Sequence, residues 1–280
     1  MKAPKIRRIL VAVDASPHSQ AALEAAGELA ARFNAELLGL FVEDLNLLRL
    51  ASLPFGKEVG LFSALPRQLR PPDVKRQLRI QARRAQETFS VVVERREISG
   101  TFHVVRGSVS QKILEASAEV DIVLLGKSGL SQLRKERLGS TAQTLLAEAP
   151  GMMMILQNGA RLGSPVVLVY DGSLMAKKAL HAALTLLEQE DQPRKLTVLT
   201  VGDGPEACRR LQAEIEATLS TKNVRVQYRT LCSSSAEKVT YRIKLEERGT
   251  LVLPAKQELV ENEVLHELLA KIDVPVLLVR

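Results

Sequence analysis

Two glycine-containing segments at a fixed separation are the parts of this sequence best suited to bind an anion. In the first, a predicted buried strand from Ile122 to Leu125 leads directly into Gly126 and Gly129. The second, Gly139 to Thr141, stands where a helix is predicted to begin. Backbone N–H groups in such a loop and at a helix N-terminus are open to an anion, and the helix dipole favours negative charge there. The pair predicts a phosphate-binding site, unless the glycines only turn the chain.

Other phosphate-binding and metal-binding patterns fit less well. The tail of a Walker A loop is present at 126–128, but the first glycine of that loop would fall at position 121, which is Asp121. Residues 202–207 match the loose dinucleotide pattern, yet no acidic residue near 222–227 is available to bind a ribose. His266 begins a zinc-protease pattern that lacks its second histidine. No metal site and no serine-hydrolase arrangement is predicted.

The spacing Gly-x2-Gly-x9-Gly-Ser resembles the ATP-binding signature of the universal stress proteins. Further segments within about the first 157 residues are similar to that family: a strand ending in Asp14, the run Val104 to Gly107, and Pro150 before an apolar strand. The resemblance implies ATP or a related adenine nucleotide as the bound ligand, with or without Mg²⁺. It places Asp14 and the backbone of Val42 at the adenosine. It places at the phosphates Gly126, Gly129, Gly139, Ser140 and Thr141.

Two charged residues near these segments each have two interpretations. Lys127, inside the loop, either adds positive charge to the phosphate site or points outward into solvent. Asp14 either contacts the ligand or caps the following helix, and ligand contact is preferred. Its counterpart later in the chain, Asp171, is interpreted as a helix cap.

The elements that must position these residues occur twice. The apolar run Ile9 to Val13 ends in Asp14-Ala-Ser16, and Val166 to Tyr170 ends in Asp171-Gly-Ser173. A helix follows each run; the first is predicted from Pro17 to Phe33, with Ser16 as its N-cap and Asn34 as its left-handed end.

Apolar strands alternate with amphipathic helices throughout, which predicts two tandem doubly wound α/β domains, 1–158 and 164–280. The family resemblance implies the strand order 3-2-1-4-5. Ligands of such sheets bind beyond the carboxyl ends of the strands, where the strand order reverses.

The second domain departs from the first at the expected phosphate position. No glycine follows the strand that ends at Leu253, and Glu258, Glu261 and Glu263 stand there instead. Because carboxylates repel phosphate, we expect one nucleotide per chain, bound by the first domain. The family resemblance implies that the second domain pairs with the first as two single-domain stress proteins do in a dimer, through the strands Met152 to Leu156 and Val276 to Val279.

Composition narrows the class of protein. The chain of 280 residues is 46% hydrophobic, enough for a full core. Its net charge is +7. Most of the positive excess lies between Pro66 and Arg96, a segment with nine Lys or Arg and three Asp or Glu. Aromatic residues are 3% with no Trp, which argues against nucleic-acid binding by base stacking. Two cysteines and no long apolar run predict a cytoplasmic protein without a transmembrane segment.

Three functions follow as hypotheses. The first is a stress-response sensor or regulator that binds an adenine nucleotide, with at most slow hydrolysis, and forms a homo-oligomer or pairs its own two domains. The second is a nucleotide hydrolase or nucleotidyl-transfer enzyme. The third is an interaction module that contacts a regulatory protein or a membrane surface. It would use the added segment Leu45 to Pro72 and the arginines of the next helix, which otherwise form a solvated face. Those arginines are Arg76, Arg79, Arg83 and Arg84.

Overall fold

Strands and helices alternate along the chain as the sequence predicts. A computed structural model describes residues 6–14, 16–53, 57–59, 66–127, 138–157, 159, 162–188, 194–220, 222–231, 241–243, 249–255 and 263–280. The elements of the first half are β1 Arg8–Ala12, α1 Pro17–Phe33, β2 Glu36–Asp44, α2 Leu45–Ala51, β3 Lys57–Val59, β4 Pro66–Gln68, α3 Pro71–Arg96, β5 Gly100–Gly107, α4 Val109–Ser117, β6 Ile122–Gly126, α5 Ser140–Glu148 and β7 Met152–Leu156. The elements of the second half are β8 Val166–Tyr170, α6 Leu174–Glu188, β9 Lys195–Val201, α7 Pro205–Leu219, β10 Arg225–Leu231, β11 Thr250–Pro254, α8 Glu263–Lys271 and β12 Val276–Val279.

Ten of the strands form one sheet, in the order β10-β9-β8-β11-β12-β7-β6-β1-β2-β5. Each half contributes five parallel strands in the order 3-2-1-4-5, which confirms the predicted fold. The halves join where β12 pairs antiparallel with β7, so that Leu277 lies opposite Met154. The pairing of the two final strands is therefore confirmed. The boundaries 1–158 and 164–280 stay a prediction, since 158, 160 and 161 lie outside the described residues.

Helices cover both faces of this sheet. Side chains of α1, α3, α6 and α7 form one apolar layer, and those of α4, α5 and α8 form the other. Successive strand residues alternate between the layers: Ile9 and Val11 belong to the first and Leu10 to the second. Each layer contains residues of both halves, because the sheet is continuous through the β7–β12 junction.

Two helices near the predicted site show how local sequence sets their bounds. α1 begins and ends as predicted: the Ser16 hydroxyl accepts a hydrogen bond from Ser19 N at 3.1 Å, and Asn34 has a φ of 50°. α3 buries a stripe of apolar residues that ends at Val92, and the next residue, Val93, is half-buried. The stripe is Val74, Leu78, Ala82, Ala85, Phe89 and Val92.

Candidate functional site

A cavity of about 680 Å³ opens at the carboxyl ends of β1, β2 and β6. β1 lies between β2 and β6 in the sheet, so this is the switch point where the strand order reverses. The volume lies in the range of about 300–1,000 Å³ that is typical of small-molecule sites. The residues lining the cavity that were predicted as site residues are Asp14, Val42, Gly126, Gly139, Ser140 and Thr141.

Shortly after the end of β1, Asp14 brings a carboxylate to the cavity lining. Asp14 Oδ1 accepts a hydrogen bond from Ser16 N at 2.8 Å, and Asp14 N donates to the Ser19 hydroxyl at 2.8 Å. Asp14 therefore both lines the cavity and supports the start of α1. Asp171 Oδ1 accepts the corresponding hydrogen bond from Ser173 N at 3.0 Å, while the Ser173 hydroxyl accepts from Ala176 N. Ser173 is therefore the capping side chain, and the capping role of Asp171 stays a prediction. Ligand contact by Asp14 stays a prediction.

The end of β6 and the start of α5 form the other side of the cavity. Gly139 is the N-cap of α5, and as a glycine it has no side chain that could accept a hydrogen bond from the first turn. The first helical residues, Ser140 and Thr141, line the cavity. The N-terminal amides of a helix have no acceptor within the helix, so this end of α5 offers donors to an anion. Gly129 lies outside the described residues.

The Lys127 side chain points neither toward the cavity nor into solvent, so neither of the two interpretations of this residue holds. Its side chain is buried, and Nζ donates a hydrogen bond to Ile272 O at 2.9 Å in the second half. The carboxylate of Asp273 lies 3.9 Å from Nζ. Burial lowers the pKa of Lys127, and the Asp273 charge opposes that shift. The Lys127 ammonium is therefore directed at the second half and away from the cavity.

His18 of α1 lies against the end of β6. A Cβ added at Gly126 would stand 2.9 Å from His18 C and Cβ, so His18 packs directly against the end of β6. Burial and the neighbouring charge of Lys127 lower the pKa of His18, while Asp14 raises it. The neutral imidazole is thus favoured beside the cavity.

The outer wall of the cavity comes from residues that the sequence analysis did not select. Leu47 of α2 and Leu78 and Gln81 of α3 contribute lining atoms. α2 was missed as a helix, although Asp44 accepts from Asn46 N at 2.8 Å and so caps its start. The signal was present in Asp44 followed by closely spaced leucines. The predicted addition Leu45 to Pro72 thus contributes at least Leu47 to the wall; its residues 54–56 and 60–65 lie outside the described residues.

The first strand of the second half ends in a bulky, buried side chain. Tyr170 stands two residues before Gly172, where the first half has Val13 before Ala15, and its side chain is fully buried. Burial and Glu214, which accepts a hydrogen bond from Tyr170, raise the pKa of its phenol. Glu214 also pairs with Lys177 at 2.8 Å. Glu258 and Glu261, which were expected to repel phosphate, lie outside the described residues.

The described residues show neither a metal-binding cluster nor a membrane-spanning helix. No group of three or more His, Cys, Asp or Glu side chains there is placed to hold a metal ion. None of the helices in the described ranges is long and apolar enough to cross a membrane.

The fold and the position of the cavity define a doubly wound α/β protein with a candidate ligand site at the switch point of its sheet. Residues 5–157, more than half of the chain, match the sequence model of the universal stress protein family. The chain belongs to the universal stress protein family.

Solved structures of low sequence identity share the whole fold. A universal stress protein from Archaeoglobus fulgidus DSM 4304 is 18% identical with a TM-score of 0.72, over 98% of this chain and 96% of that one. A putative universal stress protein from Pseudomonas aeruginosa UCBPP-PA14 is 16% identical with a TM-score of 0.58, over 98% and 93%. No curated protein is significantly similar to the chain in sequence.

Proposed function

We propose that this protein binds ATP or a related adenine nucleotide in the cavity of its first half and acts as a sensor or regulator in a stress response. The observation that carries the proposal is the cavity, which brings together six of the residues expected to contact a nucleotide. Membership of the universal stress protein family supports it. A cytoplasmic location and the presence of Mg²⁺ with the nucleotide remain predictions.

The chemistry of the lining residues differs between the two sides of the cavity. Asp14 follows β1 and Asp44 is the last residue of β2, and their carboxylates are suited to accept hydrogen bonds from ribose hydroxyls. Gly126 and the start of α5 lie on the β6 side, where backbone amides suit phosphate. The adenosine is therefore proposed near the carboxylates at the ends of β1 and β2, and the phosphates at the start of α5.

Binding without rapid turnover fits the described lining residues. These residues supply carboxylates, hydroxyls, the two side-chain amides of Gln81 and Gln143, and backbone amides. Phosphoryl transfer usually also uses cationic clamps and a positioned nucleophile. An enzyme remains the competing hypothesis, and steady-state phosphate release that is abolished by Asp14→Asn would favour it.

The test is to denature the purified protein, identify any released nucleotide, and titrate the protein with ATP by calorimetry. Gly139→Val is expected to abolish binding, because its side chain would occupy the cavity beside the α5 amides. Gly163→Val is the matched control, since a Cβ at Gly163 has no neighbour within 4 Å and the residue lies outside the cavity lining. A wild-type protein that carries no nucleotide and ignores added ATP contradicts the proposal.

An interaction module is the second candidate, favoured by one observation. Leu50, Leu53 and Ile80 are each more than 40% exposed, and the four arginines predicted on the outer face of α3 are exposed as well. A partner protein or an anionic surface would cover apolar and basic groups together. Retention of a partner by Gly139→Val would show that this contact is independent of nucleotide.

A further inference from the structure

The helix whose N-terminus faces the cavity is too short to be placed by its own stability. α5 has nine residues, about 13 Å of helix. Isolated helices shorter than about 12–15 residues are marginal in water. Its N-cap is a glycine that makes no side-chain capping bond. The position of α5 must therefore depend on the residues that contact it, and two of these contacts lead to the second half.

At its C-terminus, α5 is capped by a cation from the second half. Arg280, which follows β12, donates from Nη1 to Ala149 O and from Nη2 to Leu146 O, and a weaker contact to Ala147 O measures 3.4 Å. Arginine stays protonated in proteins, so these carbonyls face a full positive charge. A cation at this end of a helix stabilises it and offsets the negative pole of its dipole.

At its N-terminus, α5 is tied to the second half through Lys127. Gly139 N donates to Lys127 O at 3.1 Å, and Lys127 N donates to Leu156 O at 2.6 Å. The Lys127 side chain then reaches Ile272 O, just beyond the end of α8. One residue thus joins the N-cap of α5, the end of β7 and the second half.

The contact between the halves is reciprocal. Gln157 follows β7 as Arg280 follows β12, and its Nε2 donates to Asp273 O beyond the end of α8, at 2.5 Å. A cation meets the end of each helix, since Lys127 Nζ donates to Ile272 O beyond α8 and Arg280 donates to the last carbonyls of α5. Of these two helices, α5 is the one whose start lines the described cavity, so its cation can act on the proposed phosphate end.

We propose that Arg280 is a positioning residue for the phosphate-facing end of the nucleotide site, so that the second half is a working part of that site. This inference rests on the proposed function. Arg280 holds the axis of α5 through its last carbonyls and removes the negative pole of the helix dipole. Both effects strengthen the positive potential that the N-terminal amides present to a phosphate.

The test compares ATP with adenosine, which has no phosphate, by calorimetry on the full chain. Arg280→Gln is expected to weaken ATP binding about two- to fivefold, the range for a charge at a helix end, and to leave adenosine binding unchanged. Arg280→Lys retains the charge and is expected to restore most of the loss. Gln157→Ala, the matched control, removes a contact between the halves at α8 and is expected to change neither affinity.

The outcomes separate this inference from the proposed function. A wild type that binds neither ligand overturns both. A wild type that binds ATP, with Arg280→Gln equal to it, overturns the inference alone, as does an equal loss of ATP and adenosine binding, which would indicate general damage. If Arg280→Gln does not fold, Arg280→Met, which keeps an apolar stem without the charge, is titrated in its place. Weaker ATP binding with unchanged adenosine binding supports the inference, and unchanged ATP binding overturns it.

Discussion

Position 126 has room only for glycine, because β6 lies close to the start of α1 there. A Cβ there would lie 2.9 Å from both C and Cβ of His18 and 3.0 Å from Ser19 N. Two of these three atoms belong to the backbone, which cannot rotate away as the end of a long side chain can. The glycine that the sequence pattern assigns to phosphate binding is thus also a packing requirement.

Gly126→Ala is expected to destabilise the protein by about 1–3 kcal/mol, since α1 or β6 must shift to admit the methyl group. Urea unfolding of wild type and variant measures the difference. Gly163→Ala, where the added carbon meets nothing within 4 Å, is the control and is expected to stay within about 0.5 kcal/mol. Equal unfolding free energies of the two variants would contradict this prediction, since they would mean that α1 and β6 move apart without destabilising the protein.

At the scale of elements, helix ends follow local chemistry, and the end of α3 carries a conformational cost. α3 ends at Glu97, a non-glycine residue with a φ of 52°. Its N–H donates to Glu94 O and Val93 O, and Ile98 N donates to Val93 O at 3.2 Å. This left-handed end is the conformation that glycine adopts without steric penalty.

Glu97→Gly is therefore expected to stabilise the protein by about 0.5–1 kcal/mol, because the left-handed conformation no longer crowds a Cβ. Chemical denaturation of the purified variants checks this. Glu97→Ala separates the backbone effect from the loss of charge and is expected to give no such gain. A destabilised glycine variant would mean that the side chain of Glu97 contributes more than its backbone conformation costs.

At the scale of the whole molecule, the two halves share one sheet and two continuous apolar layers. β7 and β12 lie in the middle of the ten strands, and Met154 and Leu277 face each other there with 0% and 1% exposure. A defect at this junction removes contacts from both halves at once. The molecule is thus expected to unfold as one unit.

Leu277→Asp is expected to cost about 3–5 kcal/mol, because it places an unpaired carboxyl group in the buried junction. Thermal unfolding followed by circular dichroism and by hydrogen exchange in both halves should show one coincident transition at a lower temperature. Leu174→Asp, at a site 58% exposed, is the control and is expected to change stability by less than about 0.5 kcal/mol. Two separate transitions would contradict a single cooperative unit.

The sequence by itself determined the features that depend on short stretches of chain. The strand–helix alternation, both ends of α1 and the helix that begins after Gly139 follow from periodicity and capping, which act within a few residues. The repeat of Asp14 and Ser16 at Asp171 and Ser173 predicted two equivalent halves, and the family resemblance then predicted the pairing of β7 with β12.

Only the tertiary structure decided where the charged side chains near α5 point and what closes the cavity. Lys127 and Arg280 find their acceptors more than 130 positions away along the chain, and no local pattern encodes such a contact. The outer wall from Leu47 and Leu78 likewise depends on the packing of α2 against α3. Periodicity fixes which face of an element is apolar, whereas the direction of a long charged side chain is set by the carbonyls and carboxylates that folding brings within its reach.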